Sequence, residues 1–543
     1  MKHLITLAAL GVICAGTTPS LSAKNNKAIE LSHLSSVNAI TPGKSAAEIV
    51  AHDPATQRIF VVNAVAGLID VFDISDPANP QPVGQVDIDV DDEGFVANSV
   101  AAREGIIAVA IEAKPKTNPG KVVFFDNAFN YLSEVTVGAQ PDMLTFTHNG
   151  KYVLTANEGE PAAYPSTPTN DPEGSVSIID LSGGAANLTQ ANVRTADFTA
   201  FNSPAHASLF GPEKIRIFGP GATVSQDLEP EYITTSHDSQ TAWVTLQENN
   251  ALAIIDIPNA TVTGLRALGT KDHSLADNPF DASDRDGIPV ATTGRVNIKN
   301  WPVRGLYGPD AIASYQIAGQ TYLVLANEGD ARTDWPGYTE ETTVGNAAVV
   351  LDPVIFPNAV TLKKNENLGR LRISKASGDT DGDGDYDIIS SYGARSFSIR
   401  DAEGTLLWDS GDDFEVETAL AYPKNFNASN SNTTLDSRSP SKGPEPEGVT
   451  VGKVFGRDYA FVALERIGGV MVYDISTPAA PEFVDYINNR DFTQPATSPA
   501  AGDRGPEGLI VISEENSPNG QPLVVVANEE SGTTTIFQIE KAR

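Results

Sequence analysis

PEGVTVGKVFGRDYAFVALERIGGVMVYDISTPAAPEFVDYI, residues 446–487, is one complete unit of a plan that the chain repeats seven times. The unit opens on Pro446-Glu447 and runs into an apolar stretch ending at Glu465. A second apolar stretch closes on Asp474-Ile475, and the short run Glu482–Ile487 completes it. The opening pair, a small residue or proline before a polar residue, recurs at Ala47-Glu48, Ala97-Asn98, Pro141-Asp142, Pro230-Glu231, Pro309-Asp310 and Pro506-Glu507. The answering runs end at Asn63, Glu112, Glu158, Glu248, Glu328 and Glu529. Runs rich in Val, Ile and Phe, bounded by Gly, Asp and Ser, read as strands. Strands grouped at a long period mean a propeller or a solenoid. The unequal intervals suit blades carrying loop insertions better than solenoid coils.

The fold expected is therefore all-β, a seven-bladed β-propeller spanning 24–543 as one domain, with long insertions at about 183–227, 267–303 and 330–444. Units one to six carry a fourth strand, for example Pro82–Ile88, Tyr131–Val137 and Glu482–Ile487, whereas the seventh stops at TTTIFQIEKAR. The run Lys27–Leu34 stands spare ahead of the first unit. An unpaired edge strand invites aggregation, so Ala28–Leu34 is expected to pair with Thr533–Ile539 and close the ring. Helical periodicity is scarce, with TADFTAF (Thr195–Phe201) at best a short helix.

Composition narrows the function classes. Of 543 residues, 70 are Asp or Glu and 37 are Lys or Arg, a formal net charge of −33. Nucleic acid and anionic membrane surfaces repel such a chain, while divalent cations are drawn to it. Residues 1–23 read as a secretion signal, with Lys2 and His3, an apolar core Leu4–Ala15 and small residues to Ala23. That core is too short to cross a bilayer. Cys14, the one cysteine, lies inside it, so the exported chain has no thiol for a disulfide, a metal or nucleophilic attack. A secreted or periplasmic protein is expected, monomeric and without a membrane anchor.

In a blade of alternating strands, the start of the innermost strand and the end of the second face the same mouth of the channel. Glu48, Asp142, Glu231, Asp310, Glu447 and Glu507 are expected there, beside Glu112, Glu158, Glu248, Glu328, Glu465 and Glu529. Carboxylates so crowded raise one another's pKa or recruit a cation. Ca²⁺ and Mg²⁺ take oxygen ligands, and Asn157, Asn327 and Asn528 are placed to add carbonyls. The same glutamates would also serve as repeated anchors for neighbouring backbone amides. Arg332, Arg395, Arg438, Lys442 and Arg466 follow the acidic positions, and a metal beside an arginine fork is what a phosphoester needs. Structural ion pairs would read identically.

DTDGDGDYD (Asp379–Asp387) is the most specific motif. Aspartates at its first, third, fifth and ninth positions, with glycines permitting the turn, wrap oxygens around Ca²⁺. Asp379, Asp381, Asp383 and Asp387 are the ligands expected. Ser390 stands where an EF-hand has its glutamate, and strands follow, so the loop is not a helical hand. A weaker acidic loop holds Asp281, Asp284 and Asp286, either a second cation site or a series of Asx turns.

The set LVLANEGDAR, DGDGDYD, YGARSFSI, WDSGDDFE, GPEPEGVTVG, FVALERIGGVMVYDI, YINNRDF and GPEGL with VVVANEESGTTTIF resembles the choice-of-anchor I family, across nearly the whole mature chain. These are secreted bacterial propellers, similar also to mesenchyme-specific cell surface glycoproteins and to proteins labelled alkaline-phosphatase-like. Taken with the calcium loop and the acidic mouth, the resemblance leads to the expectation of an exported calcium-binding propeller acting as a metal-dependent phosphoesterase. Glu328, Arg332 and Arg466 would then be catalytic, with Glu158, Asp310, Glu447, Glu465, Glu507 and Glu529 holding metal. The alternative is a non-catalytic module that engages matrix, mineral or a partner through Ca²⁺. Unlike the family's anchored members, this chain reaches Arg543 directly after its last strand, with no sorting signal.

Overall fold

The computed structural model describes residues 28–88, 94–290, 292–333 and 335–542. The expected leader at 1–23, Cys14 included, lies outside them. These described residues form seven four-stranded antiparallel sheets and one five-stranded sheet. All-β architecture of the propeller type is what the repeats require. In the sixth sheet the strands are Pro446–Val454, Arg457–Leu464, Val470–Asp474 and Glu482–Ile487, in that order.

Second strands such as Tyr152–Asn157 and Leu523–Asn528 are buried at every position. A strand sandwiched between neighbouring sheets has no solvent face, so it reads as a continuous apolar run rather than an alternation. Each sheet shares an apolar cluster with the next. Val62 and Val109 join the first pair, Phe124 and Val153 the second, Leu154 and Val244 the third. Leu252 and Leu323, Phe397 and Val462, and Phe461 and Val526 continue the series. Leu523 and Val525 of the seventh sheet meet Ile59 and Val61 of the first. The Asp-Ile-Ser signature has a local cause. Asp73, Asp180 and Asp474 each accept a bond from the backbone N–H two residues on, at 2.8, 2.9 and 3.0 Å, turning the chain at the end of the third strand.

The strand Ile29–Asn38 pairs antiparallel with Thr533–Lys541, from Ile29 opposite Lys541 to Asn38 opposite Thr533. The pairing expected of Ala28–Leu34 is present and longer. Past an irregularity between His33 and Ser35 it continues to Asn38, which the sequence masks because Ser35, Ser36 and Asn38 carry no apolar pattern.

Two insertion boundaries need correction. Val193–Asp197 lies inside the expected insertion 183–227, yet it is the fourth strand of the third sheet. Within 330–444, Ser396–Asp401 and Leu406–Asp409 return to complete the fifth sheet. Three short strands of that segment join the insertion after Ala267. Thr270–Asp272 and Arg304–Leu306 share one five-stranded sheet with Glu341–Thr343, Arg372–Ser374 and Ser390–Ser391. It has its own apolar core around Phe280, Trp301, Leu368 and Ile389.

Candidate functional site: an acidic mouth

A β-bulge accompanies the opening pair in five of the seven sheets. Register shifts fall between Ala97 and Ser99, Pro141 and Met143, Pro230 and Ile233, Pro446 and Val449, and Pro506 and Leu509. Proline has no N–H to give the ladder, and a bulge leaves the next residue unpaired and re-aims it. The acid that follows proline is thus released from its sheet. After Glu447 and Glu507 the next residue is glycine, which serves a different need. A Cβ on Gly448 would lie 1.9 Å from the Glu507 carbonyl oxygen, and one on Gly508 2.5 Å from that of Glu48. At these two positions only glycine lets the neighbouring strands approach this closely.

These acids converge. A cavity of about 340 Å³ is lined by Asp142, Glu231, Asp310, Glu447 and Glu507 from the innermost strands. Glu158, Glu328 and Glu465 join from the ends of second strands. Burial pushes the Glu48 carboxyl up to about 8, with Glu529 and Asp142 adding to it. Burial likewise lifts Asp142 to about 7, helped by Glu160 and Glu112. Glu158, Glu231, Asp310, Glu447 and Glu507 are all raised well above the usual range, burial first and neighbouring carboxylates second. Glu529 is half-buried, accepts a bond from Ser45 at 2.7 Å and does not line the cavity.

On this cavity Glu328, Glu447 and Glu465 form a compact group, each offering an oxygen within 4.8 Å of the others. Gln247 donates to Glu328 at 2.9 Å and Lys442 bonds its other oxygen. Arg466 forms an ion pair with Glu465 at 2.5 Å, and Glu447 Oε2 is buried with no hydrogen-bond partner. Burial raises Glu465 to about 7 against the pull of Arg466. Three converging carboxylates, one with an unpartnered oxygen, are a donor set that fits a hard divalent cation.

The basic residues divide. Lys442 and Arg466 line the mouth. Arg332 does not reach it. Its side chain is wholly buried, paired with Asp227 and with Glu229 at 2.8 Å and stacked over Phe218. Arg395 is equally internal, bonded to Glu415 at 2.6 Å and to the carbonyls of Asp281, Ser439 and Ser441. The asparagines also differ from expectation. Asn157, Asn327 and Asn528 are buried and bond their own sheets, for instance Asn157 to Ser177 at 3.0 Å and Asn528 to the Thr533 carbonyl at 3.1 Å.

A family model described as "Choice-of-anchor I domain" matches residues 48–478. The chain belongs to the choice-of-anchor I family. It is 30% identical over 351 residues to the mesenchyme-specific cell surface glycoprotein of Strongylocentrotus purpuratus, covering 58% of this chain and 43% of that protein. It is 34% identical over 184 residues to Gigasin-3a of Magallana gigas, covering 32% of this chain and 64% of that one. The chain therefore spans less than half of the first relative and under two thirds of the second. Among solved structures, Kuenenia stuttgartiensis hydrazine synthase superposes with a TM-score of 0.46 at 12% identity, over 93% of this chain and 98% of that one. A Myceliophteria thermophila Cps50 (Swd1) β-propeller domain gives 0.42 at 8%, over 95% and 100%.

Two further features of this choice-of-anchor I chain escape sequence reasoning. Glu445, one residue ahead of the repeat, is fully buried. Arg438 donates to it at 2.9 Å, Arg466 at 2.7 Å, and Lys442 lies 3.3 Å away. Burial opposes its charge, but these three cations together hold the carboxyl well below the usual range. It fixes the bases at the edge of the mouth. In the DTDGDGDYD loop, oxygens of Asp379, Asp381 and Asp387 come within 4.8 Å of one another, whereas Asp383 joins no such group. A bridge between Leu351 and Tyr386 brings Asp352 beside Asp385 and Asp387 in a second group. The weaker loop does not converge. Asp284 is paired with Arg285 and Arg370, Asp281 accepts from the Asn297 N–H at 2.5 Å, and no compact carboxylate group among the described residues contains them.

The raised carboxyls dictate a pH dependence. A group such as Glu48, at about 8 in the folded chain against 4.5 ordinarily, holds its proton in the folded state across that interval. Folding then takes up protons, and stability falls as pH rises through the window. Metal-free protein is expected to melt higher at pH 5 than at pH 8, with millimolar Ca²⁺ restoring much of the loss at pH 8. Calorimetry at both pH values checks this; a melting temperature rising from pH 5 to 8 without metal contradicts it.

Proposed function

We propose that the seven sheets are the blades of a closed ring and that its acidic mouth holds a divalent cation through Glu328, Glu447 and Glu465. On this reading the protein is exported and acts outside the cell as a cation-dependent binding module for matrix, mineral or a protein partner. The convergence of three carboxylate oxygens within 4.8 Å at the cavity carries the proposal. The cell-surface glycoprotein among its relatives agrees with a place outside the cell. No helix among the described residues is long and apolar enough to cross a membrane. Glu158, Asp310 and Glu507 line the same cavity, and as an entering cation displaces their protons they add to the negative field that holds it. A second ion, Ca²⁺, is assigned to Asp379, Asp381 and Asp387, with Asp352 and Asp385 from the adjoining group and a structural role.

Titration calorimetry with Ca²⁺, Mg²⁺ and Mn²⁺ tests the mouth. Glu447→Gln is expected to weaken its binding about tenfold or more, the scale of one charged ligand lost from a set of three. Unchanged affinity rejects the site. Asp387→Asn is expected to remove the second site and to lower the melting temperature only when calcium is present.

Phosphoester hydrolysis is the second reading, favoured by Lys442 and Arg466 flanking the triad on the same cavity. A divalent ion there would polarise a phosphoryl oxygen, while Arg466 holds another. Chromogenic phosphomonoester and diester substrates, with and without metal, decide it. Turnover is expected to fall at least a hundredfold in Glu328→Gln and tenfold in Arg466→Ala, on the scale of lost electrostatic stabilisation. No turnover under any metal leaves the binding module.

A further inference from the structure

Next to the mouth lies a second cavity of about 450 Å³, and we propose that it binds an alkylammonium group. This goes beyond the metal reading. One wall is acidic, with Glu158, Glu231 and Glu248 exposed by only 8, 7 and 3%. Glu231 Oε2 and Glu248 Oε2 are buried there without a hydrogen-bond partner. Buried acceptors left unpaired are costly, so a donor is missing. Trp335, Pro161 and Pro336 line the same cavity and give it an apolar surface. The Trp335 ring stands edge-on to Tyr164 at 6.4 Å, and the Tyr164 N–H donates to the Pro336 carbonyl at 2.8 Å, which fixes the aromatic wall.

Spacing separates this cavity from a metal site. Among the described residues, three carboxylate groups converge within 4.8 Å, and none includes Glu158, Glu231 or Glu248. Ca²⁺ needs six to eight oxygens at about 2.3–2.6 Å, which separated acids facing an indole do not provide. An ammonium has diverging N–H donors that reach separate carboxylates. Its alkyl stem lies on the prolines and its charge against the ring face. The cavity already admits one such group from the chain itself, Lys116, whose ammonium pairs with Glu160 at the rim. Two sources share this chemistry, a free diamine and a lysine side chain of another protein.

The test titrates the full chain, at pH 8 with saturating Ca²⁺, with 1,5-diaminopentane in one arm and Nα-acetyl-lysine amide in the other; 1,5-pentanediol is the uncharged control. Binding of either amine, with a change in tryptophan emission, is expected, and the stronger arm names the source. Trp335→Leu and Glu248→Gln should each weaken it about tenfold, the range of a desolvated cation–π contact or a charged hydrogen bond. Trp335 is partly exposed, so its variant serves even where the buried Glu248 variant misfolds. Glu447→Gln should weaken calcium binding at the mouth and keep amine affinity, so failure of the metal reading leaves this one standing. Absence of binding by both amines, equal binding of the diol, or affinity unchanged by Trp335→Leu overturns the proposal.

Discussion

Deletion of residues 1–38 is expected to abolish the cooperative thermal transition that a chain beginning at residue 28 displays, leaving broad melting at low temperature or insoluble protein. The strand Ile29–Asn38 covers one edge of the seventh sheet along the whole of Thr533–Lys541. It also fills a core. Ile29 and Leu31, 1 and 7% exposed, pack with Phe537, Ile539 and Tyr459 between the sixth and seventh sheets. Burying two such side chains contributes about 1.5–3 kcal/mol each, before the cost of baring Phe537 and a row of backbone donors is counted. A loss of about 5 kcal/mol or more approaches the whole stability of an ordinary domain, roughly 5–15 kcal/mol. The bared strand, TTTIFQIEK, is also β-branched and nearly uncharged, so association of edges is the expected failure. A peptide of residues 28–38 added during refolding should restore part of the transition. A truncated chain that melts like the longer one would falsify the idea that this strand completes the structure.

What could be read before the coordinates follows from how local each cue is. Strand identity was legible because the apolar runs around Phe461 and Val525 are dense and punctuated by Gly and Asp. The acids were legible as a set because Pro-Glu recurs at one phase of the repeat; the bulge that aims them, at Pro446 or Pro506, was not. Insertions hid structure where a strand is short or polar. Val193–Asp197, VRTAD, is short and mostly polar and buries only Ala196 fully, so it carries no apolar run to announce it. The basic residues failed for a different reason. Arg466 directly follows the glutamate that ends a second strand and Arg332 comes four residues after one, a difference in spacing that does not reveal which carboxylates each will meet. Their fates are set by Asp227 and Glu229 in one case and Glu445 in the other. Asp352 likewise reaches the calcium loop through a bridge between Leu351 and Tyr386 that no spacing announces.

Arg332 supplies the second large effect. Arg332→Met is expected to destabilise the protein by about 3–5 kcal/mol, the cost of breaking a buried pair and leaving its partner charged. The guanidinium donates to Glu229 through Nε at 3.2 Å, bonds Asp227, and reaches the Asp227 carbonyl at 2.8 Å. Asp227 in turn accepts from the N–H groups of Phe218 and Gly219 at 2.7 and 2.8 Å, so it cannot turn away when the arginine goes. Glu229 is already raised well above the usual range by burial, with Arg332 drawing it down. Without that cation its carboxyl rises further, the folded state clings to its proton over a wider interval, and the variant loses stability as pH climbs. The deficit should therefore be smaller at pH 5 than at pH 8. Adding Asp227→Asn and Glu229→Gln to the variant removes both orphaned charges and should recover most of the loss. A phosphate-binding arginine would behave in the opposite way, with melting unchanged and turnover gone. Denaturant titration of the single and triple variants at the two pH values separates these outcomes. A single variant as stable as the parent returns Arg332 to the mouth.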